Sequence, residues 1–314
     1  MNRCELRKVF LFYFMRVFSV VFLFFLFFSV PLFSQFQKDS VQTKTFLGIE
    51  RKPMLKYGII AYSAASFYVE YQWWWKGNYH SFQYENDHFW NNYSLGVDKF
   101  GHFYTSYFYF SAVYELMLWA EFDEQDAALI AFLMPFSHAL SIEIGDGFST
   151  FAFSGPDLAA NVLGIGYGLL QRNVPYLQHF KFKWSYYPSG IIPFDGKFRI
   201  TDDYDGHIYW LSVDVHNILP SSLGEYWPRF LNLAVGYGGK NISGRPQLIG
   251  DPIYSPGAPS RKWAVSLDYN LGSFDIDNDF LYAVRNIVDY FHFPAPGIRK
   301  IEHQPAEFKP LLIN

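Results

Sequence analysis

An α+β fold, with an apolar four-helix bundle followed by a β-rich C-terminal half, is what this sequence predicts. Three observations carry that reading. Four apolar stretches of helical length fill the first half of the 314 residues. After about residue 178 the texture becomes period-two alternation broken by Pro and Gly, the pattern of strands. Charged residues are 17% and aromatic residues 22%, where average soluble domains carry about 25% charged residues. Large apolar surfaces must therefore face a core, a membrane or both.

Residues 1–34 read as a secretory signal. Arg3, Arg7 and Lys8 precede an apolar stretch from Val9 to Phe33, broken at Arg16, and the expected cleavage follows Ser34. The rival reading is an uncleaved anchor, since the run after Arg16 is near the lower limit for crossing a bilayer. The single cysteine, Cys4, lies ahead of that stretch. The expected mature chain then has no disulfide and no thiolate metal site. Export to the periplasm, or association with the outer membrane, is the expected location; the inner membrane is the alternative.

The helical region is expected over 35–175. Its first helix spans Leu55–Tyr71, where small residues recur among large ones as on a closely packing helix. An aromatic, Asn-rich loop follows, and the second helix runs Asp98–Trp119. Acidic residues around Asp126 suit the positive start of a third helix, to Ile144. A fourth runs Pro156–Arg172 and stops before Pro175. Such lengths admit a membrane bundle or a soluble one. The β-rich region is expected over 176–314. Strands with one wet face are read at Phe180–Tyr186 and in the stretches opening at Ile208, Leu231 and Trp263, with a late helix at Asp279–Tyr290.

Three polar clusters interrupt the apolar helices. Asp98 and His102 are four apart, so on a helix they share a face, and the carboxylate could orient the imidazole as a base or metal ligand; Lys99 lies between them. Glu143 and Asp146 are three apart at the end of the third helix, an unfavourable place for two carboxylates unless a cation compensates; Ser149 follows. Ser154 and Asp157 have capping-box spacing, with Pro156 in the first turn, and Asn161 lies one turn on. Asp98, His102, Glu143 and Asp146 are the candidate acid/base set. Lys99, Ser149, Ser154, Asp157 and Asn161 are the candidate binding set. The run Gly164-Ile-Gly166-Tyr-Gly168 lacks a preceding strand and reads as helix packing, not a nucleotide loop.

A net charge of −4 offers no basic field for nucleic acid. No nucleophile elbow, phosphate loop or zinc helix is present in the sequence. No cofactor motif is evident, and a divalent metal is left open by the carboxylates.

The combination Asp98-Lys99-Phe-Gly-His102, Glu143-Ile-Gly-Asp146-Gly-Phe-Ser149 and Ser154-Gly-Pro-Asp157-Leu-Ala-Ala-Asn161 resembles the YfiM-like family of predicted periplasmic or lipoprotein-type envelope proteins. A fainter similarity reaches the VanZ-like membrane proteins. The resemblance implies the envelope location and the four-helix layout, and no reaction. The leading expectation is a structural or binding role at the membrane, with the membrane surface or envelope components as partners. The alternatives are an enzyme acting on a lipid or cell-wall intermediate through Asp98, His102, Glu143, Asp146 and Asp157, and a polytopic inner-membrane protein.

Overall fold

The computed structural model describes residues 44–190, 200–242 and 257–314; the expected signal segment and its cleavage point lie outside these. The fold is mixed α and β, with several helices and a six-stranded sheet in the C-terminal half. The long helices are α1 (Arg51–Glu70), α2 (Val97–Trp119), α3 (Glu124–Gly147) and α4 (Gly155–Asn173), and α5 is Asp279–Val288. A π-helical turn, Tyr71–Trp75, extends α1.

Helices α2, α3 and α4 pack on one another, and α5 joins them against α2. Their shared core holds Phe110, Met117, Ile130, Ile165 and Ala283, with Leu55 as the contribution of α1. The packed group therefore recruits the late helix from the β-rich half, and α1 lies at its margin. The close fit of α2 on α4 depends on Gly164, where an added Cβ would sit 2.1 Å from the backbone oxygen of Phe103. Among the described residues, α3 alone is long and apolar enough to cross a membrane, and 44% of that stretch is buried.

The sheet is an antiparallel meander: β1 (Phe180–Tyr186), β2 (His207–Val213), β3 (Leu231–Lys240), β4 (Ser260–Tyr269), β5 (Ala295–Ile301) and β6 (Ala306–Leu312), each paired with the next. The last two strands, β5 and β6, add to those expected from the alternation. A register shift between Lys309 and Leu312 bends β6 so that Leu312 is buried with Trp210 and Ala264. The free edge of β1 is covered by 290–292, through Trp184 N–H to Tyr290 O and His292 N–H to Trp184 O.

The alternation predicted strands with two unlike faces, and the polar one is turned inward. One face holds Lys183, Ser212, Asn232 and Asp268, all buried, beside the apolar cluster of Ile208, Trp210 and Ala264. Lys183 Nζ lies 2.8 Å from Asp268 and 2.9 Å from Asp289, so the interior charges are paired.

Two histidines are sealed in this half as neutral rings. His207 Nδ1 accepts from the Trp184 indole at 2.8 Å, so its proton sits on Nε2, 2.8 Å from Ile200 O. His292 stacks on Trp210 with centroids 3.9 Å apart. Burial pulls each ring from an ordinary 6.5 to about 4. The unfolded chain therefore takes up both protons first. Stability falls as pH drops from about 6.5 to about 4, by roughly 3 kcal/mol per ring, and then levels off for these groups. Urea midpoints measured across that interval check this, and His207→Gln should flatten the slope.

Candidate functional site

The site forms where the first turns of α2 and α4 meet. Gly96, at φ +84°, turns the chain into α2, and a Cβ there would meet Phe89 O at 3.0 Å. Asp98 and Lys99 thus fall in the first turn of α2, and Asp157 in the first turn of α4. Both aspartates lie at the positive ends of helices, which favour carboxylates.

Lys99 is the hub. Its Nζ lies 2.6 Å from Asp87, 3.0 Å from Asp98 and 2.6 Å from Asp157, with the side chain fully buried. Burial opposes the ammonium, but Asp157, Asp98 and Asp87 outweigh it and hold the lysine charged, above its ordinary pKa. Burial likewise pushes the Asp98 carboxyl up; Lys99, Ser94 and Asn92 overcome it and hold it below the ordinary value. The Ser94 hydroxyl donates to Asp98, and Asn92 bridges Asp87 and Asp98 at 3.1 Å to each.

His102 stands one turn above Asp98, with Nε2 3.6 Å from Asp157. Its Nδ1 lies 3.2 Å from the Asn161 amide, and Ser106 donates to Asn161 Oδ1 at 2.7 Å. An Asn amide and a hydroxyl can reverse roles together, so this pair accommodates either tautomer of the ring. Glu143 reaches the same point from α3 and accepts from Ser154 N–H at 2.9 Å. Ser154 caps α4 by accepting from Asp157 N–H at 3.2 Å and donates to Asp87 at 2.9 Å. The cap read from the sequence is present, and its hydroxyl also serves the cluster.

Asp98, Lys99, His102, Glu143, Ser154, Asp157 and Asn161 are therefore brought together. Asp146 and Ser149 have separate duties. Asp146 accepts from the Trp75 indole at 2.8 Å, and Gly145 leaves room for that ring. Ser149 donates to Asp146 O at 3.0 Å and accepts from Phe151 N–H, closing the turn after α3. The expected Glu143–Asp146 pair is thus held by different donors. Asp87 was missed, since a lone acid in an Asn-rich loop carries no helical spacing to mark it. His138, left outside the set, pairs with Glu70 at 2.8 Å.

Four buried or half-buried carboxylates (Asp87, Asp98, Glu143, Asp157) face one ammonium and one imidazole. One ligand atom each from His102, Glu143 and Asp157 lies within 4.8 Å of the others. A divalent ion suits such a set chemically, since imidazole and carboxylate oxygens are both zinc and manganese ligands.

No curated protein and no solved structure matches the chain. Residues 85–173, from the Asp87 loop through α4, match the model of a family described as predicted periplasmic lipoprotein (DUF2279), which supports an exported location for an uncharacterised family.

Proposed function

We propose that the chain is a membrane-associated binding protein of the envelope, and that the junction of α2, α3 and α4 holds a divalent cation through His102, Glu143 and Asp157. The observation that carries this reading is the approach of those three side chains within one buried, carboxylate-rich point. Four carboxylates gathered about one buried ammonium leave an excess of negative charge, and a divalent cation offsets it. Lys99 orients Asp157, Ser154 N–H orients Glu143, and Asn161 with Ser106 orients the His102 ring. Such supporting contacts typically set metal affinity tenfold to a hundredfold.

A second reading, an enzyme on a lipid or cell-wall intermediate, draws on one feature. The His102 side chain is 25% exposed while its partner Asp157 is buried. An imidazole reachable from outside and backed by a carboxylate can move a proton.

Titration calorimetry with Zn²⁺ and with Mn²⁺ tests the first reading. The protein should bind about one ion. His102→Ala and Glu143→Gln should each weaken it by at least about tenfold, with circular dichroism unchanged. A wild-type protein that takes up neither ion contradicts the proposal.

A further inference from the structure

The sheet carries an ordered set of layers on its outer face. Register aligns Phe182, Leu211, Val235, Val265, Ile298 and Phe308 in one row across all six strands. Helix α2 covers the start of this row, where Phe103 packs on Phe182 at 4.8 Å. Beyond the helix the row is bare: Val235 is 48%, Val265 47%, Ile298 52% and Phe308 67% exposed. The next row on the same face runs Tyr237, Trp263, Lys300; Tyr237 is buried under Trp90, whereas Trp263 is 43% exposed. Further along lies Arg261, over the Trp90 ring at 5.4 Å. The opposite face buries Lys183, Ser212, Asn232 and Asp268 together with the apolar cluster of Ile208, Trp210, Ala234, Ala264 and Leu312.

We propose that this outer face, from β3 to β6, lies in the acyl region of a lipid bilayer. Trp263 and Lys300 then sit at headgroup level, with Arg261 at the phosphates. Strands that meet lipid present an apolar band outward, as Val235, Val265, Ile298 and Phe308 do. An apolar band, then amphipathic rings, then cations is the order of layers in a bilayer leaflet. A protein partner, including a second copy, would give no reason for these steps to follow one direction along the strands. Lys300 favours anionic lipid, while Arg261 shares its charge with Glu302 at 3.6 Å. The inference deepens the membrane association proposed above, by naming the surface, and is independent of the cation.

Site-directed fluorescence quenching tests it on the full chain, with Cys4→Ser as background. Val265→Cys, Ile298→Cys and Lys300→Cys are labelled singly with bimane, and the protein is mixed with phosphatidylglycerol–phosphatidylcholine vesicles. A nitroxide on the acyl chain should quench Val265→Cys and Ile298→Cys severalfold. A nitroxide on the headgroup should act most strongly on Lys300→Cys. If the chain floats with vesicles but the sheet labels stay unquenched, this face is not the lipid contact and the inference falls, while membrane association stands. If the chain does not float, both fall. Pyrene excimers between Val265→Cys copies would assign the face to self-association and overturn the lipid reading.

Discussion

Lys99→Met should destabilise the protein by about 3–5 kcal/mol, the usual cost of removing one partner from a buried ionic cluster. That is a large share of the roughly 5–15 kcal/mol by which domains are stable. The fully buried ammonium is shared by Asp87, Asp98 and Asp157. Methionine matches the stem but leaves those carboxylates facing one another without a cation. The pH dependence gives the cause away. In the wild type, Asp98 titrates below its ordinary value, so its contribution to stability is present above that value and is lost as pH falls through the folded pKa. In the variant, Asp98 loses the compensating charge of Lys99 and holds its proton more tightly. The stability gap between variant and wild type should therefore narrow as pH falls from 7 towards 4. Denaturant unfolding at several pH values measures this. Adding Asp157→Asn to the variant should recover part of the loss at pH 7.

Gly164→Ala should destabilise by about 2–3 kcal/mol, as overpacking of a close helix contact does. In an isolated helix the same change would stabilise by about 1 kcal/mol. Here the new methyl would lie 2.1 Å from Phe103 O and 3.1 Å from Tyr107 N, both backbone atoms of α2. No rotamer change relieves that, so α4 must move away from α2. The movement would pull Asp157 from Lys99 and Asn161 from His102, so a cation held there should be lost along with stability. Gly166→Ala is the matched control: nothing lies within 4 Å of its added methyl. It should leave stability unchanged or raise it by up to about 1 kcal/mol. Thermal unfolding of the two variants side by side reads the contrast.

The helices were legible in the sequence because apolar runs, an acidic first turn and capping residues mark them locally. Asp123 accepts from Asp126 N–H at the start of α3, and Ser154 does the same for α4. The middle strands were legible because β-branched and aromatic residues alternate with polar ones. Which face was wet was not, because alternation states only that two faces differ. The polar side chains turned inward here because Lys183 of β1, Asp268 of β4 and Asp289 at the end of α5 satisfy one another from positions far apart in the chain. Within the site, Asp98, His102 and Asp157 were legible from spacing on apolar helices. Asp87 was not, since its place beside Lys99 depends on how the loop before α2 folds back. Asp146 looked like a partner of Glu143 by spacing, and the Trp75 indole, from the π-helical turn after α1, engages it instead.

Anomalous diffraction from crystals of the protein soaked in Mn²⁺ or Zn²⁺ tests the convergence of these side chains most directly. A single strong peak bounded by His102, Glu143 and Asp157, about 2.0–2.3 Å from their ligand atoms, is the expected result. A map with the three side chains ordered and no ion among them, at saturating metal, would contradict it.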